Sequence, residues 1–405
     1  MRVLLLCNSF GKGWAATAHL AAELAEGLAD GGDAVEVLSS NATAQHEVRN
    51  NGGTVTVHKC NSFMNSGRLQ RHLRELCLLM YFCGWALKCR ARFDAVICLD
   101  SPRFCALAAL IIRRRTGARC VAWVMDLPSE QVSRHQAGRA IASRISGLMH
   151  GLNMKLLRRM DALVTLGRCM ADVLVRGGAA REKVHLIRTW ADDEWSALRI
   201  DSEAARRKFG LRERVTIMYS GYAGQWHDFR TLCEAIRPFL QDETVQFVFA
   251  VSGPGLGEVQ RLVEETSAKN VVLHDRVDRR DLPTFLACGD VHLASLAREM
   301  LGTCSPSKIY PVMVLGRPVA FLGPLASQAA MDVQRTGGGI AAETAEDLCH
   351  QLRLLVSDRE ARLAMGERAR EAYLKDFSQS AGVAAWRAVL AASNCQPDHH
   401  SRDSC

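Results

Sequence analysis

Residues 303–321 read TCSPSKIYPVMVLGRPVAF. Ser, Pro, Ser and Lys open the stretch, a helix-length apolar run follows, and Gly-Arg-Pro leads into a strand-like Val-Ala-Phe. A lysine at the mouth of a buried segment asks for an anion. Ser305 or Ser307 is placed to N-cap a helix beginning near Lys308. Free backbone N–H groups, the positive end of the helix dipole and the Lys308 ammonium then suit a phosphate or diphosphate. Pro311 falls in the first turn, where its missing N–H breaks no internal bond. The structural alternative is an ordinary capped core helix.

Strand-like runs alternate with helical patterns outward from this stretch in both directions. Ahead of it lie Val3–Cys7, Ala34–Leu38, Thr54–His58, Ala95–Leu99, Cys120–Val124, Ala162–Leu166 and Val184–Ile187, with helices expected at Ala16–Leu28 and Ile141–Arg159. The rhythm restarts with strands Val215–Tyr219, Val245–Val251, Val271–Leu273, Val291–Ala294 and Pro318–Phe321. Helices fit at Phe229–Phe239, Gly257–Thr266 and Leu282–Ala287. Continuous apolar strands separated by helices predict parallel sheets covered on both faces. Between the halves, Arg188–Arg212 is rich in Asp, Glu, Trp and Arg and shows no strand periodicity. Long helical patterns close the chain at Ala345–Val356, Asp358–Leu374 and Ser380–Ala392. The expected division is a first domain over 1–190, a linker over 191–212, a second domain over 213–378, a terminal helix over 379–393 and a polar tail over 394–405. The length of 405 residues suits two domains, and 48% apolar residues suffice for two cores.

Other classes are disfavoured. The 15 cysteines form no CxxC pair, so neither a metal framework nor a disulfide scaffold is expected, and reduced thiols suit a cytoplasmic chain. A metal site at His399, His400 and Cys405 in the tail is a weak candidate. The opening MRVLLLC is read as a first strand, too short for a signal-peptide core. No run reaches membrane-spanning length. The net charge of +8 is modest, and the basic residues flank apolar helices rather than interleave with aromatics, which argues against nucleic acid.

Each half also opens with a glycine loop between strand and helix. In SFGKGW (9–14), Gly11 and Gly13 permit a tight turn and close approach of a ligand to the backbone. In YSGYAGQWHDF (219–229), Gly221, Tyr222, Gly224 and Gln225 do the same, and Asp228 or His227 is placed to cap the next helix. Either loop is equally readable as a plain connection. The spacing fits neither GxGxxG nor a phosphate-binding GK[ST] loop. Asp126 ends a strand in VAWVMDLPSEQV (121–132) and either points into a cleft or caps a turn. Residues 66–92 form a helix candidate whose apolar centre, Leu76–Leu87, carries Tyr81, Phe82 and Trp85. Arg68, Arg71 and Arg74 precede that centre and Lys88 follows it. It suits an anionic membrane surface, or a buried helix of the first domain.

Taken with YSGYAG, RMDALVTLGRCMADVLVRGG, KVHLIRTWADD and VVLHDRVDRRDLPTFLACGDVHLASL, the SPSKIYPVMVLGRPVAF stretch resembles the retaining glycosyltransferases of family 4, of the type that assembles bacterial O-antigen, capsule and exopolysaccharide. The resemblance spans roughly residues 1–390. It implies an α/β GT-B fold: two doubly wound Rossmann-like domains facing across a cleft, with the C-terminal helix crossing back to the first domain. It implies a nucleotide-sugar donor of UDP or GDP type on the second domain, with no cofactor and no metal. The diphosphate would meet Ser305, Ser307, Lys308, Tyr310 and the Gly221–Gly224 loop, and the base would lie near Arg276 and Val277. Asp126, Lys308 and His227 are the implied catalytic residues. The acceptor would be a polyprenyl-diphosphate-linked saccharide on the first domain, at the cytoplasmic face of the inner membrane. The family's Glu-x7-Glu pair falls at Thr303 and Pro311, and its loop Arg and Lys fall at Tyr222 and His227. Lys308 would then carry more of the phosphate charge, helped by His227 or Arg298. Two other readings compete: an inactive homologue that scaffolds a polysaccharide assembly complex, and a nucleotide-sugar epimerase.

Overall fold

The computed structural model describes residues 1–11, 16–42, 47–50, 52–60, 68–127 and 140–392; side chains of 41–42, 47–50, 68–72 and 140–146 are not described. The chain forms two mostly parallel sheets. The first has eight strands: β1 Arg2–Phe10, β2 Ala34–Ala42, β3 Glu47–Asn50, β4 Gly53–Lys59, β5 Ala95–Leu99, β6 Arg119–Val124, β7 Ala162–Thr165 and β8 Val184–Leu186. Their order is β3-β4-β2-β1-β5-β6-β7-β8, parallel except where β3 runs antiparallel to β4. The second holds β9 Val215–Tyr222, β10 Val245–Ser252, β11 Val271–Leu273, β12 Val291–Ser295, β13 Val319–Leu322 and β14 Gly339–Ala342. Their order is β11-β10-β9-β12-β13-β14, all parallel. The α/β fold class expected from the strand–helix alternation is borne out.

The central strands are buried on both faces. Every residue of β5, β7, β12 and β13 is buried, as expected of near-continuous apolar runs once helices cover both sides; the polar exceptions are Thr165, His292 and Ser295. Both sheets reverse their strand order once, between β1 and β5 and between β9 and β12. The carboxyl ends of strands at such a reversal diverge and leave a crevice. The two crevices face one another across the domain boundary.

Two strands escaped the sequence reading. β3 is a polar edge strand. β14 begins in a run of three glycines, and Gly339 is obligatory there: a Cβ would stand 2.0 Å from the carbonyl oxygen of Val319 on β13. β13 starts at Val319, one residue later than expected, because Pro318 has no N–H to donate.

Residues 379–391 form a helix that packs on the first domain, not the second. Val383, Trp386, Val389 and Leu390 join the first core. The Trp386 ring lies 4.9 Å from Trp123 on β6, and Trp123 stacks at 6.1 Å on Trp190, where the chain leaves the first domain. Asp193 ties the two crossings together. Its carboxylate accepts from Tyr373 Oη (3.0 Å), Gln379 N (2.8 Å) and Ser380 N (3.2 Å). Trp386→Ala should therefore destabilise the first domain by about 3–5 kcal/mol, the usual cost of emptying a buried aromatic site. Urea denaturation followed by Trp fluorescence checks this; a midpoint unchanged from wild type would mean that the terminal helix is not part of that core.

Candidate functional site

The crevice between the domains is a cavity of about 1280 Å³. Its first-domain wall comes from Ala16, His19 and Leu20 of the helix Ala16–Asp30, with Asp126 after β6. The second domain supplies the end of β9, the 276–282 loop and residues 304–312. The domains touch at its rim. Leu127 N donates to Thr303 O at 2.8 Å, and the Arg279 guanidinium meets the His19 ring. His19 Nε2 is also paired, at 2.5 Å, with Glu23, whose carboxylate accepts from Trp190 Nε1 at 2.9 Å.

Lys308 sits at the second domain's strand-order reversal. Its Nζ lies 2.7 Å from Tyr219 Oη and 3.9 Å above the centroid of the same ring. Gly221, at φ +118°, flanks the amine; a Cβ there would stand 3.8 Å from Nζ. Burial lowers the Lys308 ammonium to about 7. Tyr219, wholly buried on β9, is pushed above the usual phenol range by the same cause. The sequence marked Lys308 but missed Tyr219. The only signal was its place two residues before Gly221, on the strand that feeds the loop.

The helix after Lys308 is shorter than expected. It spans Ile309–Val314, with Lys308 itself at the N-cap position and no side-chain cap. Neither Ser305 nor Ser307 caps it, although both line the cavity. Six residues sum few peptide dipoles, so the amine rather than the helix end supplies the local charge. Pro311 stands third in the helix and lines the cavity.

His227 is no cation. Its Nδ1 lies 2.6 Å from Ser295 O at the end of β12. Burial first, then the Lys308 charge, lowers the ring to about 3. At neutral pH His227 donates Nδ1–H to that carbonyl and keeps Nε2 as an acceptor. The expected help of His227 with phosphate charge is therefore corrected. So is that of Arg298, which lies 80% exposed with its guanidinium 3.7 Å from Glu343. Asp228, not His227, caps the helix Phe229–Ile236.

Other assignments are redistributed. Gly221, Tyr222, Arg276 and Val277 line the cavity. Gly224 is buried against the rings of Tyr222 and Trp226. Gly11, Gly224 and Gln225 are not on the cavity wall, and Gly13 lies outside the described residues. Tyr310 is buried and turned away from the cavity, its hydroxyl donating to Asp332 at 3.0 Å. Asp332, 1% exposed, also takes Arg188 Nε (3.0 Å) and Gln328 Nε2 (2.9 Å), and Gln328 Oε1 accepts from Arg168 N (2.9 Å). Arg188 and Arg168 belong to the first domain, so this buried knot joins the domains behind the cavity. Thr303 is wholly buried, its hydroxyl donating to Met300 O at 2.8 Å. Asp126 lines the cavity, and its N–H donates to Asp100 Oδ2 at 2.8 Å. Burial and then the neighbouring Asp126 raise Asp100 to about 7.

On the helix Arg68–Lys88, Phe82 is fully buried, so its expected place on a membrane face is corrected. Trp85 packs partly against the first core, 6.3 Å from Phe93. Tyr81 and Lys88 are exposed, Arg74 is half-buried, and the side chains of Arg68 and Arg71 lie outside the described residues. The exposed face holds Leu73, Leu76, Met80 and Leu87. Leu148 and Leu152 of the helix Ala140–Leu157 are also exposed, and the helix Ala106–Thr116 packs against both of these helices. Among the described residues no helix is long and apolar enough to cross a membrane, and no cluster of three or more ligands could hold a metal. The tail candidates His399, His400 and Cys405 lie outside the described residues.

His227 and His292 share a pH signature. Burial lowers His292 to about 4, as it lowers His227. Both rings stay neutral in the folded chain but protonate near 6.5 once unfolded. Their contribution is thus intact above pH 6.5 and is lost as pH falls toward 4. Thermal unfolding from pH 7.5 to 4.5 should show that loss, and ¹⁵N imidazole shifts should show His227 still uncharged at pH 5; a ring titrating near 6.5 would contradict the assignment.

Known proteins bear on this geometry. Residues 16–190 match a family profile described as a glycosyl transferase 4-like domain. A protein of Escherichia coli strain K12, assigned to colanic acid biosynthesis as the glycosyl transferase WcaI, is 24% identical over 272 residues, 65% of this chain. The match spans 66% of that relative, just under two thirds of its length. Among solved structures, Anabaena HepE in complex with UDP-glucose superposes with a TM-score of 0.69 at 15% identity, over 96% of this chain and 98% of that one. WaaG, a glycosyltransferase involved in lipopolysaccharide biosynthesis, gives 0.69 at 15% over 96% and 100%. The two-domain fold of this chain is thus the GT-B fold of those enzymes.

Proposed function

The chain carries a glycosyl transferase 4-like domain in its first half, and from that premise we propose that it is a glycosyltransferase of bacterial surface-polysaccharide assembly. The observation that carries the proposal is the Lys308 amine beside Gly221, at the strand-order reversal of the second domain and facing Asp126 across the cavity. That is where a GT-B enzyme needs a cation for a nucleotide-sugar donor. HepE, which has the same fold, was solved with UDP and with UDP-glucose, and a uridine diphosphate donor is the first choice here.

In this reading the donor's diphosphate lies on Lys308, with Ser305 and Ser307 at hand, and its base reaches Arg276 and Val277. The sugar points toward the first domain. The bond from C1 to the diphosphate oxygen breaks, and an acceptor hydroxyl forms the new C1–O bond on the same face, which retains the anomeric configuration. The hydroxyl proton passes to the departing phosphate oxygen. Charge stabilisation on that oxygen by Lys308 is the main catalytic contribution, and Asp126 orients the acceptor. No metal ion is required. His227, uncharged, accepts a hydroxyl hydrogen through Nε2. Tyr222 and Pro311 replace an arginine and a glutamate common in family 4, so the donor is gripped by fewer charges and the ribose by no carboxylate from the helix Ile309–Val314.

The acceptor is read as a polyprenyl-diphosphate-linked saccharide. Leu73, Leu76, Met80, Leu148 and Leu152 form an exposed apolar surface on the first domain, with Lys88, Arg90 and Lys155 exposed on the same two helices and the residues after the first. Such a surface suits the interface of an anionic bilayer, which would place the protein peripherally on the cytoplasmic face of the inner membrane.

Two outcomes are expected. UDP, GDP or one of their sugar conjugates at about 100 times its Kd should stabilise the folded chain by about 2.7 kcal/mol, seen as a thermal shift, and Lys308→Ala should remove the shift while still unfolding in one cooperative transition. No shift with any nucleotide would favour the inactive homologue. The double variant Met80→Glu, Leu148→Glu should lose co-sedimentation with phosphatidylglycerol vesicles yet keep the nucleotide shift; wild-type sedimentation would remove the membrane assignment.

A further inference from the structure

We propose that, in mildly alkaline solution, the donor's diphosphate enters the cavity together with one proton, which Lys308 takes from solvent, so that there Lys308 is an uncharged amine in the free protein and an ammonium in the complex. The inference rests on the donor placement above.

The surroundings of the amine carry it. Lys308 Nζ has a phenol, not a carboxylate, as its hydrogen-bond partner, and the same ring lies beneath it. The titratable groups against it are Tyr219 from β9 and His227 from the loop that follows. Tyr219 stays a neutral phenol, and burial keeps His227 neutral although its Nδ1–H donates to Ser295 O. The other charged side chains on the cavity wall, among the described residues, are Arg276, Arg279 and Arg280 against Asp126, Asp192, Asp278 and Asp281. Arg279 is engaged with His19, and Asp281 holds Lys208 at 2.7 Å. None of these described groups forms an ion pair with the amine, and among them no surplus of fixed cations awaits an anion.

An ammonium removed from water without a counter-charge is costly, and a neutral amine is the cheaper state. Burial alone brings this amine to about 7. A diphosphate supplies the missing negative charge and favours the ammonium. The balance is simple. In the free protein the neutral amine donates one N–H to Tyr219 Oη and keeps its lone pair. On binding, a solvent proton occupies that lone pair, the bond to Tyr219 Oη is kept, and the remaining N–H groups meet phosphate oxygens. No bond other than N–H forms.

The linkage has a definite sign. A group whose pKa rises on binding favours the complex at low pH, so affinity is full below about 7 and falls about tenfold per pH unit above it. The test is calorimetric titration of the full chain with UDP and with GDP at pH 8, in two buffers of different ionisation enthalpy and without phosphate. Close to one proton taken up per nucleotide is expected for wild type. Lys308→Met should bind at least tenfold more weakly with no uptake. Lys308→Arg, which stays charged, should bind with no uptake and with an affinity that does not change from pH 7 to 9. Tight binding by wild type with heats independent of the buffer, lost in Lys308→Met, would overturn the proton linkage while leaving the donor site standing. Nucleotide binding unchanged in Lys308→Met, or absent from wild type, would overturn the donor placement and the linkage with it.

Discussion

The buried carboxylate of Asp332 is the joint on which the two halves of the molecule depend. Removed from water, it needs every partner it has: Arg188 from the first domain, and Gln328 and the Tyr310 hydroxyl from the second. A buried ion pair contributes little net stability against an apolar replacement, but removing one member is expensive. Its effect is geometric. Tyr310 belongs to the short helix that follows Lys308, so the position of the amine is set by a contact that also fixes the first domain. The cavity is therefore held from behind, by the joint, as well as at its rim by Leu127 and Thr303.

The cavity's charge is unusual for a site read as a phosphate cradle. Of the histidines on its wall, His227 and His292 are neutral. Its lysine leans on a phenol, and its arginines are matched by aspartates. A site of this kind relies on desolvation to make one movable proton count. Asp126 on the opposite wall repeats the theme: its N–H donates to Asp100 at the neighbouring strand end, and burial raises the Asp100 carboxyl above the usual carboxylate range.

Much of the fold was legible in the sequence because both sheets are buried on both faces. Ala95–Leu99 and Val271–Leu273 coincide with the observed strands, and the others shift by one to a few residues at their ends. The failures have local causes. Glu47–Asn50 is a polar edge strand with no apolar run to announce it, and Gly339–Ala342 hides behind glycines that the close approach to Val319 demands. Of the site, Gly221 and Asp126 could be picked out from their places at strand ends, and Lys308 from its place at the head of an apolar helical run. What burial does to them could not. The orientation of the His227 ring depends on Ser295, 68 residues away, and the diversion of Tyr310 depends on Asp332, 22 residues away on another helix. Phe82 was misplaced because a helix with an apolar centre looks alike from either side until its neighbours are known.

The chain crosses between its domains twice, at Ala191–Asp193 and again at Phe377–Ser380, and Asp193 bonds to the start of the returning helix at Gln379 and Ser380. Two tethers laced side by side behave as a hinge pin. They resist sliding or unscrewing of the second domain, so any opening of the cavity at Lys308 would have to turn about the line through them and part both the Leu127–Thr303 bond and the Asp332 joint.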